Sequence, residues 1–155
     1  MADVFIAYHE KSGGMIARKI ADTLEKNGVS CWYARRDINP GSDFAGVITR
    51  AIRDCKIFLI VFNQDACNSL HIESELALAF RRTLNYENLT VLPFQIDNYN
   101  LKNNNALSYY LSRVQIIDGC PPDEQHIRDL AKRVVHMLGR EKKTSASLPV
   151  DNARV

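Results

Sequence analysis

The sequence predicts an α/β fold in which a parallel five-stranded sheet carries helices on both faces. Three observations predict it. Five short apolar runs recur along the chain (DVFIAY, VSCWY, KIFLIVF, LTVLPF and VQII), and KIFLIVF is apolar almost throughout instead of alternating with polar residues. Strands of that kind are buried on both faces. Between the runs lie stretches whose apolar residues repeat with a helical period, and strand–helix alternation is the pattern of a parallel sheet. The third observation is size. At 155 residues the chain fits one domain with a full hydrophobic core and no need of staples. Together these describe a flavodoxin-like three-layer sandwich.

Each element follows in order. Residues 3–8 (DVFIAY) are strand one, and 14–26 an amphipathic helix carrying Ile16, Ile20 and Leu24. Gly28 stops that helix, since glycine takes the left-handed conformation of a helix C-cap. Residues 29–33 (VSCWY) are strand two. A loop from Ala34 to Gly41 (ARRDINPG) leads to Ser42, a good N-cap. The helix it opens runs to about Asp54, with Phe44, Val47, Ile48 and Ile52 available for burial. Residues 56–62 are strand three. After them, 69–80 (SLHIESELALAF) is a helix with Ile72, Leu76 and Ala79 on its core face at i, i+4, i+7. Residues 89–94 are strand four, 98–105 a polar Asn-rich connection, 106–111 a short or irregular helix, and 114–117 strand five. Pro121, Pro122 and Asp123 open a last helix to about Leu138, with Ile127, Leu130, Val134 and Leu138 inward. Residues 1–139 form the domain. Residues 140–155 lack apolar periodicity and are expected to be a disordered tail.

Composition narrows the function classes. Apolar residues make up 46% and charged residues 25%, the balance of a soluble globular protein. A net charge of +2 gives no basic field for nucleic acid or an anionic membrane. No apolar run approaches the ~20 residues that span a bilayer. The N-terminus, MADVFIAYH, lacks the basic and long apolar regions of a leader. Cys31, Cys55, Cys67 and Cys120 are scattered without a CxxC pair, so reduced structural thiols in a cytoplasmic protein are expected.

The loops must then decide. A phosphoacceptor would need acidic residues after strand one and an Asp ending strand three, where this chain has Tyr8-His9-Glu10 and Asn63. GxGxxG and Walker loops are absent, HEKSGG is a poor phosphate loop, and no Ser-His-Asp or Cys-His spacing stands out. Glu75 does stand out. It lies one position off the core face of the helix after the central strand, where open α/β sheets place their ligand crevice. His71 shares its side of the helix at i, i+4, and Tyr8, His9 and Glu10 follow strand one at the crevice mouth. Trp32 and Tyr33 end strand two, where alternation buries one and leaves the other for the cleft. Glu73 sits in the first helical turn, where a negative charge suits the helix dipole.

Four segments in order and spacing, VFIAYH, CWYARRDINPGSDF, AIRDCKIFLIVFN and S-x-x-I-x-x-E-L-x-x-A, resemble a Toll/interleukin-1 receptor (TIR) domain of bacterial type over about Asp3 to Leu138. The resemblance makes 34–41 the mobile BB loop, in which Pro40-Gly41 shapes a turn. It makes Glu75 the catalytic glutamate of TIR domains that cleave NAD+, with NAD+ as substrate and no other cofactor or metal. Tyr8, His9, Trp32, Tyr33, Arg35, Arg36 and His71 become substrate-binding residues, the two arginines for the dinucleotide phosphates. Several NAD+-cleaving relatives carry a Trp where His71 stands and some an Asp where Ala34 stands, and this chain departs from both. The implied activity is that of an NAD+ glycohydrolase or cyclase, giving nicotinamide and ADP-ribose or a cyclic isomer. A stand-alone bacterial TIR resembles the signal-generating subunit of Thoeris anti-phage systems, whose product switches on a separate effector protein. Self-association through 34–41 is implied as well. A non-catalytic TIR adaptor, or an effector that simply depletes NAD+, is the alternative.

Overall fold

A computed structural model describes residues 2–38, 40–41, 43–85, 88–101 and 106–140, without the side chains of Arg35, Arg36, Leu84 and Ala106. Its strands are β1 (Val4–Ala7), β2 (Cys31–Trp32), β3 (Ile57–Phe62), β4 (Thr90–Gln95) and β5 (Ile117–Asp118). They pair in the order β2-β1-β3-β4-β5, all parallel. The apolar run β3 takes the centre because both its faces are buried, and it pairs residue for residue with β1 (Ile57 opposite Val4) and β4 (Ile57 opposite Thr90).

The helices are α1 (Glu10–Lys26), α2 (Ala34–Asp37), α3 (Phe44–Asp54), α4 (Gln64–Cys67), α5 (Leu70–Leu84), α6 (Ala106–Leu111) and α7 (Glu124–Met137). The two-residue period of the strands sorts the core into two layers. Val4, Ile6, Leu59, Val61 and Phe94 pack with Ile20 and Leu24 of α1 and Leu130 and Val134 of α7. Phe5, Ala7, Phe58, Ile60 and Phe62 pack with Ile48 and Ile52 of α3 and Ile72, Leu76 and Ala79 of α5. The three-layer sandwich read from the sequence is the observed fold. No helix among the described residues is long and apolar enough to cross a membrane.

Several boundaries differ, each for a local reason. α1 starts at Glu10 instead of Gly14, so Gly13 and Gly14 lie inside it and are buried. Packing on the sheet outweighs their weak helix propensity. Residues 34–37, expected as loop, form α2, and Asp37 Oδ2 accepts a hydrogen bond from Tyr33 N–H at 3.0 Å. α3 starts at Phe44, which is 51% exposed instead of buried, while Ile48 and Ile52 carry the buried face. Ser42, the expected cap, lies outside the described residues, as do 102–105 of the Asn-rich connection. β5 falls at Ile117 instead of 114–117, because Val114 and Ile116 pack into the α3/α5 layer. Arg140, read as the first residue of the tail, belongs to the domain. Its guanidinium bonds both carboxyl oxygens of Asp3, the Nη2–Oδ1 contact at 2.8 Å. Burial pushes the Asp3 carboxyl up, but hydrogen bonds from Arg140 and Ser30 outweigh it and hold the group below the usual range. The rest of the expected tail lies outside the described residues.

Candidate functional site

In this strand order the chain leaves β1 toward one face and β3 toward the other, and the diverging connections open a crevice at the strand ends. A cavity of about 1030 Å³ lies there. Its wall comes from the residues after β1 (Tyr8, His9, Glu10, Lys11), from Asp65 of α4, and from Leu70, His71, Ile72 and Glu75 at the start of α5, with Ala34 and Phe44 completing it.

The local sequence dictates how Glu75 reaches this space. Ser69 caps α5, its Oγ accepting from Ile72 N–H at 3.3 Å. Ile72, Leu76 and Ala79, all at most 2% exposed, then fix the helix's rotation against the sheet. Glu75, beside that face, is half-buried among cavity residues that include Phe5, Ala7 and Ile72. Among the described residues no hydrogen bond or ion pair reaches its carboxyl, and burial pushes its pKa up to about 7. A carboxylate so placed is stabilised by a cation brought to it.

A polar chain borders the same cavity. Asn63, 5% exposed, ends β3 and accepts from Ala66 N–H with Oδ1 at 2.9 Å, which starts α4. Its Nδ2 donates to Ser12 Oγ at 3.0 Å. Ser12 Oγ lies 3.2 Å from His9 Nδ1, and Asp65 Oδ2 lies 3.9 Å from the same nitrogen.

Of the residues singled out from the sequence, Tyr8, His9, His71 and Glu75 meet in the cavity. Tyr33 is buried in the α1/α7 layer and meets Tyr8 edge-on at 6.1 Å, so it backs the wall without lining it. Trp32 stacks on Phe5 at 5.0 Å, and Phe5 on Phe58 at 5.2 Å, a row across three strands of which Phe5 lines the cavity and Trp32 does not. The side chains of Arg35 and Arg36 lie outside the description. Sequence reasoning missed Lys11, Phe44, Asp65, Asn68 and Leu70. Asn63-Gln64-Asp65 carried a usable signal, because an Asn ending a strand commonly caps the turn that follows. Among the described residues no three His, Cys, Asp or Glu side chains gather to hold a metal ion.

Residues 4–132 match the family model described as TIR domain. The chain belongs to the TIR family. Its fold is similar to the TIR domain of the Toll-related receptor TRR-2 from Hydra magnipapillata, with a TM-score of 0.68 and 19% identity over 91% of this chain and 100% of that one. It is similar to a TIR-STING receptor from C. gigas in complex with 2′,3′-cGAMP, with a TM-score of 0.67 and 21% identity over 87% of this chain and 39% of that one. It is similar also to the TIR domains of the activated Roq1 resistosome that recognises the effector XopQ, with a TM-score of 0.60 and 15% identity over 88% and 85%. At these identities the likeness shows the TIR fold. Among curated proteins, none matches.

Proposed function

We propose that this TIR domain cleaves the nicotinamide–ribose bond of NAD+, giving nicotinamide and either ADP-ribose or a cyclic isomer, as a signal in anti-phage defence. The observation that carries the reading is Glu75, a half-buried carboxylate without a partner among the described residues, in the wall of a cavity at the strand ends. The chemistry asks for such a group. Nicotinamide is already cationic in NAD+ and leaves as a neutral base, so its departure needs no acid. What needs help is the positive charge that develops on the ribose, and a preorganised anion in a poorly hydrated wall stabilises it. Tyr8, His71 and the two arginines of α2 are assigned to hold the substrate. The segment 34–41, whose Ala34 lies on the cavity wall, is assigned to contact a second copy.

The deciding experiment is incubation with NAD+ and resolution of the products by chromatography and mass, with Glu75→Gln as comparison. The variant is expected to fold normally and release nicotinamide at least ~100-fold more slowly, the scale of removing a charge aimed at the transition state. An equal rate in the two proteins removes Glu75 from the chemistry.

A further inference from the structure

Glu75 accounts for the leaving group's half of the reaction and leaves the attacking half without a proton acceptor. If Glu75 itself took the proton of an incoming water, it would lose the charge that its role requires. A second group is needed, and the polar chain along the cavity ends on one. His9 lines the cavity, and its Nδ1 faces two oxygens, Ser12 Oγ at 3.2 Å and Asp65 Oδ2 at 3.9 Å. A carboxylate on that side favours the tautomer with the proton on Nδ1, and Ser12 Oγ has lone pairs to accept from both His9 and Asn63. Nε2 is then the basic nitrogen, and it makes no hydrogen bond among the described residues. Asn63, anchored at the end of β3, fixes Ser12 and through it the ring.

We propose that His9 is the general base for the nucleophile, oriented by Ser12 and Asp65. This rests on the NAD+-cleavage reading. As the bond from ribose C1′ to the nicotinamide nitrogen breaks, its electron pair leaves with nicotinamide. The water oxygen bonds to C1′ and its proton passes to His9 Nε2, which later returns it to solvent. A ribose hydroxyl of the same ADP-ribosyl unit attacks by the same transfer when the product is cyclic. Glu75, ionised beside the bound cationic substrate, keeps its charge through the step.

Azide separates a base from a residue that merely shapes the cavity, because it attacks carbon without a proton to lose. Wild type and His9→Gln are compared at saturating NAD+, with sodium azide or with sodium chloride at equal ionic strength, reading nicotinamide release and the mass of the ribosyl product. His9→Gln is expected to be slower by about 100-fold in chloride, within the range of general-base catalysis. In azide it recovers most of that loss and yields ADP-ribosyl azide, while the wild-type rate barely changes. A variant as fast as wild type, or one that azide does not restore, overturns the assignment and leaves NAD+ cleavage standing. A wild type that releases no nicotinamide overturns both. Should His9→Gln fail to fold, Asp65→Asn answers the same question through a loss of about tenfold; failure of azide to restore that rate overturns the assignment.

Discussion

Glu75 is held in a protonation balance that its neighbours decide. Its ordinary pKa is 4.5, and burial without a compensating hydrogen bond raises it to about 7. The sign of the linkage follows. A carboxyl whose folded pKa is raised costs nothing while neutral, and stability is lost as pH rises from the unfolded value through the folded one. At pH 8.5 the folded chain therefore carries a desolvated charge that the unfolded chain hydrates freely, a cost on the order of 2–3 kcal/mol. Glu75→Gln has nearly the same shape and cannot ionise. It should melt close to wild type at pH 4.5 and about 5 °C or more above it at pH 8.5, given the melting-temperature shift expected per kcal/mol in a domain of this size. Paired thermal melts across that range check it. A difference that stays constant with pH would mean the carboxyl is better solvated, or better partnered, than its cavity implies. A site residue whose removal stabilises the fold is the pattern expected where function sets the local electrostatics.

Elements show which kinds of information a sequence carries. The strands of the centre and the helices α5 and α7 were legible because period and caps agreed: Ser69 and Asp123 accept from the amides three residues on, as their side chains allow. Glu75 was legible for the same reason, since α5's buried face fixes its direction. The start of α1 and the whole of α2 were not: glycines argue for coil where burial holds α1 helical, and the loop-like ARRDINPG hides a turn that Asp37 closes on the Tyr33 amide. Strand alternation said that Trp32 and Tyr33 face opposite ways, yet left open which, if either, reaches the cleft. The answer lies in partners far along the chain. Phe5 and Phe58 continue the Trp32 row from neighbouring strands, and Tyr33 goes into the opposite layer. Lys11 escaped because nothing in its own neighbourhood marks it, and Asp65, two residues past the Asn63 cap, joins it in the site only when β1 and β3 lie side by side. The Trp32 row makes a prediction of its own. Trp32→Ala removes a half-buried ring and should destabilise the domain by about 3 kcal/mol, the lower end for a large aromatic in a core. Nicotinamide release per folded molecule should stay within about threefold of wild type at a temperature where the variant is folded, since a side chain off the cavity contributes no interaction gained in the transition state. Denaturant melts with a matched activity assay check both halves; a stable but inactive variant would return Trp32 to the site.

At the scale of the whole molecule, Ala34 and Phe44, from the two ends of the chain between β2 and α3, border the cavity. The apolar side chains Phe44 and Leu70 on its wall are 51% and 78% exposed. An apolar rim beside the Glu75 wall would leave water at the ribose carbon of the proposed reaction unless something covers it. The segment from Ala34 to Gly41 of a second copy fits that need by the family resemblance, and its Arg-Arg-Asp run is too polar for a permanent hydrophobic interface. Charges of this kind set orientation and encounter rate more than affinity. The expected protein is therefore mostly monomeric at micromolar concentration, with low basal turnover. Turnover per molecule should rise with protein concentration or with a crowding agent, and Arg36→Glu should flatten that rise while the fold stays intact, its melting temperature within about 2 °C of wild type. The measurement is specific activity across a hundredfold range of concentration, alongside mass by light scattering. Constant turnover per molecule over that range would show that each subunit already carries a closed and complete site.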